Sequence, residues 1–101
     1  MLHTDETNFQ ENVLDKDFAV VDFSAEWCGP CRMIGPFLES IEKQLGIEIM
    51  QVNIDESPNV SAKYEVMSIP TVMIFKKGEK VAENIGAASK ARLTEWIKSH
   101  Q

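Results

Sequence analysis

Residues 18–25, FAVVDFSA, form a near-continuous apolar run rich in β-formers, broken by one charge, Asp22. Such a run predicts a strand buried on both faces of its sheet, so the fold needs a layer on each side. The rest of the chain supplies those layers. Thr7 with Gln10 fits a capping box, and Phe9, Val13 and Leu14 follow at helical spacing, predicting a short helix near 7–15. A long helix is predicted over roughly 30–45, with Ile34, Phe37, Leu38, Ile41 and Leu45 on its apolar side. Pro36 should kink it and Gly46 end it. IEIMQVNI at 47–54 reads as a second strand, and Ser57-Pro58 as the cap and first residue of a short helix to about Tyr64. TVMIFKKGEKVAENI reads as two strands joined around Lys77-Gly78. Ser89 caps a last helix with Leu93, Trp96 and Ile97 on its apolar face. The order αβαβαββα, with βα units first and a hairpin after, predicts an α/β fold: one mixed central sheet flanked by helices on both faces.

At 101 residues the chain is expected to be a single domain, 1–101, with a modest core. Ten Lys plus Arg against sixteen Asp plus Glu leave a net charge of −6. That acidity argues against a nucleic-acid partner and against attachment to anionic lipid, both of which need a basic surface. No apolar run approaches the roughly 18 residues of a membrane span, and MLHTDETNFQ lacks the basic and apolar regions of a signal peptide. A cytoplasmic protein is therefore expected, in a compartment where stable disulfides are uncommon.

Both cysteines lie in AEWCGPC, 25–31. As a metal site the pair falls short, since structural zinc wants four Cys or His ligands and His3 and His100 stand at opposite ends, read as solvated terminal residues. As a structural staple it closes almost no loop. The redox reading has local physics behind it. Cys28 follows a buried strand at the start of a helix, where unpaired N–H groups and the helix dipole favour its thiolate. Pro30 suits the first turn because its missing N–H is not needed there. Cys31, three residues on, is expected near Cys28 but deeper in the turn, as a resolving thiol. A CxxC beside a βαβ pattern is a redox signature.

At this point the chain resembles the thioredoxin family. The resemblance rests on WCGPC together with VDF before it, Arg32-Met33-Ile34 and Pro36 after it, VNIDE at 52–56, SIPT at 68–71, FKKGE at 75–79 and IGA at 85–87. It runs in the family's order from about residue 4 to the end, and Gly29-Pro30 between the cysteines points to the reducing members. The resemblance implies a thioredoxin-like fold and a protein-disulfide reductase acting by dithiol–disulfide exchange. Cys28 is then the attacking thiolate and Cys31 the resolving thiol, the two forming the redox disulfide. Trp27, Gly29 and Pro30 form the rim of the substrate surface. Ile69-Pro70 is the loop with a cis proline facing the disulfide, its Ile69 backbone free to pair with an extended substrate. Gly86, beside Ala87, lets substrate come close. Partners implied are disulfide-containing target proteins and an NADPH/flavin-linked thioredoxin reductase; no cofactor or metal binds the chain, and a monomer is expected. An oxidase or isomerase, or a docking subunit without turnover, are the alternatives.

Asp22 has two readings: a carboxylate hydrogen-bonded at a strand end, or a desolvated carboxylate poised to take a proton near pH 7. The resemblance favours the second, with Cys31 as the thiol it deprotonates. Two departures stand out. Ser24 occupies a position where many relatives carry an aromatic, and Gln51 one that often holds a lysine near the buried aspartate. The N-terminal strand also looks clipped to a few residues around Leu2. Met33, Met50, Met67 and Met73 are read as core packing, Trp96 as helix-to-sheet core, and Lys76-Lys77-Gly78 as a solvated turn.

Overall fold

The computed structural model describes residues 1–101. Five strands form one sheet: β1 (Leu2–Thr4), β2 (Phe18–Ser24), β3 (Ile49–Asn53), β4 (Thr71–Lys76) and β5 (Glu79–Ile85), in the order β1-β3-β2-β4-β5. β1 and β2 run parallel to β3; β4 is antiparallel to β2, and β5 to β4. β2 is thus the central strand its apolar run predicts. Between β4 and β5 the register shifts, with Ile74 opposite Ala82 and Phe75 opposite Lys80, so Val81 is an extra residue bulged out of the ladder.

Alternate residues of the central strands feed two cores. Val21, Phe23, Met50, Val52, Met73 and Phe75 meet Val13 of a helical turn (Gln10–Leu14), Phe9 just before it, and the half-buried Val60 and Tyr64. Phe9, Tyr64 and Phe75 stack edge-on or tilted at 5.1 to 5.9 Å. On the other face Val20, Ile49, Val72 and Ile74 meet Ile34, Leu38 and Ile41 of α1 (Gly29–Leu45) and Leu93 and Ile97 of α3 (Lys90–His100), with Trp96 half-buried beside them.

Local signals account for several ends. Gly46 closes α1 at φ 65°, a left-handed value that suits glycine. The Ser89 hydroxyl accepts the Arg92 N–H at 3.1 Å. Lys77 and Gly78 both take positive φ, 50° and 83°, as a two-residue hairpin of primed type requires.

Other expectations fail for stated reasons. The Thr7–Gln10 capping box does not form, because the N–H and hydroxyl of Thr7 both donate to Asp5 Oδ1, at 2.8 and 2.6 Å. The turn that follows is wide, with the Asp15 N–H reaching back to the Gln10 carbonyl at 2.8 Å. The Ser57 side chain does not cap α2 (Pro58–Lys63). Glu6 does so from across the fold: its carboxylate accepts the Asn59 N–H at 2.6 Å and the Val60 N–H at 3.4 Å. Met50 and Met73 are core residues, but Met33 and Met67 are 62% and 92% exposed. Met33 sits a third of a turn from the Ile34–Leu38–Ile41 seam, and Met67 lies in the connection before β4, where no element covers it. His100 is half-buried rather than free in solvent, its ring edge-on to Trp96 at 5.7 Å.

Candidate active site

The C-terminal end of β2 feeds directly into the N-terminus of α1, and the cysteines lie at that junction. Cys28 is the N-cap residue, in extended conformation, and Pro30 lies in the first turn. The chain enters the helix through a Cys28 N–H to Ala25 carbonyl bond of 3.2 Å. Cys28 and Cys31 are joined as a disulfide. The Cys31 N–H donates to Cys28 Sγ at 3.2 Å, so a backbone donor of the first turn is aimed at this sulfur. Cys31 lies within the first turn of α1, deeper in it than the N-cap Cys28, as expected, and both are buried, at 7% and 4% exposed. Ala25 completes a small buried cluster with them, and Ile54 and Ile69 pack against it.

Ile69 therefore belongs beside the disulfide, as the SIPT motif implied, and the Ile69-Pro70 peptide bond is cis. The N–H and C=O of Ile69 take no part in the main-chain hydrogen bonds, while the Pro70 carbonyl accepts the Gly86 N–H at 2.8 Å. That bond ties Gly86, at φ 89°, to the proline loop, with Ala87 exposed next to it. On the other side Gly29 and Pro30 are exposed, and Trp27 is 66% exposed. The Trp27 indole N–H donates to Asp55 Oδ2 at 2.9 Å. Asp55 lies within VNIDE, and no local pattern in that stretch marks it as a partner for Trp27. A turn in which Asn53 Oδ1 accepts the Asp55 N–H at 2.8 Å holds it.

Asp22 lies on the same face of β2 as Val20, towards α1, and is 1% exposed. Its Oδ1 finds no protein group to bond. Burial pushes its carboxyl up to about 7. In register beside it stands Gln51, whose amide donates weakly to Ser24 Oγ at 3.5 Å. No ammonium faces the aspartate from that position, as the sequence departure foretold. The hydrogen bond that the strand-end reading of Asp22 requires is not made at Oδ1.

Two sulfurs able to alternate between disulfide and dithiol, one of them capping a helix, place the chain among the thiol–disulfide oxidoreductases. The comparisons agree. The Thioredoxin family model matches residues 1–99. A thioredoxin of Rickettsia bellii is 47% identical over 96 residues, covering 92% of this chain and 91% of that protein. One from Rhodospirillum rubrum is 45% identical over 102 residues, covering 98% of each. The structure of a mutant thioredoxin from Halobacterium salinarum superposes with a TM-score of 0.89 at 31% identity, over 97% of this chain and 88% of that one. The chain belongs to the thioredoxin family and is a protein-disulfide reductase by class.

No helix is long and apolar enough to cross a membrane.

Proposed function

We propose that the chain reduces disulfides of target proteins, with Cys28 as nucleophile and Cys31 as resolving thiol. The observation that carries the division of labour is the Cys31 N–H aimed at Cys28 Sγ at the helix N-terminus. It favours negative charge on that sulfur, so reduced Cys28 attacks and the target sulfur leaves. Cys31 then attacks Cys28 Sγ, releasing the reduced target and closing the disulfide. Asp22, near neutral pH a half-protonated carboxyl, takes the Cys31 proton. Trp27, Gly29, Pro30, Ile69, Pro70, Gly86 and Ala87 form the rim on which an extended target segment lies, pairing with the free main-chain groups of Ile69. A thioredoxin reductase fed by NADPH through a flavin restores the dithiol. The chain works as a one-domain monomer in the cytoplasm.

The test is insulin reduction driven by dithiothreitol. Cys28→Ser should abolish it. Cys31→Ser should instead accumulate stable mixed disulfides with targets, visible on non-reducing gels and lost on adding reductant. Mixed disulfides trapped by Cys28→Ser and not by Cys31→Ser would reverse the roles.

A further inference from the structure

Met67, at 92% exposure, is the most exposed large apolar side chain of the molecule. Single exposed apolar residues are ordinary on a protein surface, but this one is held in place, and held close to the disulfide. On its N-terminal side Glu65, at φ 53°, turns the chain out of α2, and the Val66 N–H returns to the Ser61 carbonyl at 2.9 Å. The Val66 side chain packs against the core of Phe9 and Phe75. On its C-terminal side the Thr71 hydroxyl donates to the Ser68 carbonyl, and Ile69 packs against the two cysteines. Met67 is two residues from Ile69, which keeps their Cα atoms within about 7 Å of each other. A second exposed apolar side chain, Ile85, stands opposite Thr71 in the ladder and just before Gly86, whose N–H bonds to the Pro70 carbonyl. With Trp27, these side chains gather along the rim of the disulfide instead of scattering over the surface.

We propose that Met67 determines specificity among target proteins by receiving an apolar side chain that flanks the attacked cysteine of the target. The inference rests on the reading in which an extended target segment pairs with the free main-chain groups of Ile69. A strand advances about 3.3 Å per residue, so a target residue two positions from the one paired with Ile69 comes level with Met67. Its side chain covers a thioether that no element of this chain covers. The contact removes apolar surface from water on both partners, and that is the source of the selectivity. A charged side chain at the same place gains no partner from the thioether. The unbranched, polarisable side chain of methionine adapts to leucine or phenylalanine alike, so it selects apolar character without selecting one shape.

The probes are symmetric disulfides of short peptides with one cysteine each, identical except for a Leu, Glu or Lys placed in turn at each of the flanking positions on either side of that cysteine. Reduced protein, freed of reductant, is mixed with each peptide, and the second-order rate of peptide reduction is read by mass spectrometry. At one flanking position at least, the Leu peptide should react about fivefold faster than the Glu peptide. Met67→Ala should bring that ratio below about twofold. Met67→Lys should turn the preference at that position towards Glu, and high salt should weaken the turn. An exposed side chain leaves the core intact when it is replaced, so urea melts of both variants should match the parent. Equal rates for all peptides with the parent protein, or a Leu preference unchanged in both variants, would overturn the role of Met67 alone. Failure of the parent to reduce any of the peptides would overturn the proposed function, and this inference with it.

Discussion

Asp22 is the only charged side chain in β2 and the one place where that strand opposes its own burial. An ionised carboxylate there has lost water without gaining a cation, which is why its carboxyl titrates near 7. The effect on stability has a definite sign. Below about pH 4 the folded and unfolded chains both hold the proton, and Asp22 carries no electrostatic penalty. Between about 4 and 7 the unfolded chain ionises first, so stability falls as pH rises, and above the folded value the loss is constant. The full interval corresponds to on the order of 4 kcal/mol. Asp22→Asn should therefore raise stability by about 2 to 4 kcal/mol at pH 8 and change it little at pH 4. Urea melts at the two pH values check this. The same variant should slow release of reduced target at neutral pH, which single-turnover kinetics would show. A variant less stable than the parent at pH 8 would contradict the account. The apolar run around Asp22 made its place in a buried strand legible, but not whether its carboxylate was hydrogen-bonded or desolvated. The sequence did not reveal Asp55, because the hydrogen bond to Trp27 joins residues 28 apart in the chain.

At the scale of elements the same contrast holds. Caps made within a few residues, such as Ser89 on Arg92, can be read from the sequence because the chain needs no other part of the fold to form them. The cap on α2 cannot, since Glu6 reaches Asn59 across 53 residues. The Thr7–Gln10 signal misled because Asp5, two residues before Thr7, offered its N–H a closer acceptor. The hydrogen bonds of Asp5 with Thr7 hold its carboxyl below the usual range, a sign that the alternative turn is well made. Glu6→Ala should remove the acceptor for two α2 amides and destabilise the fold by about 1 kcal/mol. Faster hydrogen exchange should be concentrated in Pro58–Lys63. Glu6→Gln, which keeps an acceptor oxygen, should lose less. Uniform exchange changes across the sheet would argue against a local cap.

For the molecule as a whole, the two cores are opposite faces of the same strands, with Val20 and Val21 pointing into different ones. If the chain is one domain, neither core can melt alone. Val20→Ala and Val21→Ala should each cost about 2 kcal/mol and each lower one shared transition, seen at the same midpoint by far-ultraviolet circular dichroism and tryptophan fluorescence. Separate midpoints would mean two units. The layered architecture was readable because strand periodicity and helix periodicity assign faces independently and agree. The exposure of Met67 was not, since a loop residue has no periodicity to read. One consequence of the bulge at Val81 concerns life in a crowded solution. β5 is a free edge of seven residues, long enough to template an unwanted neighbour. The bulge bends that edge, and Glu79, Lys80 and Glu83 stud it with charge. A second chain approaching side by side meets a warped and charged rail instead of a flat one, so the edge is guarded against aggregation without a covering helix.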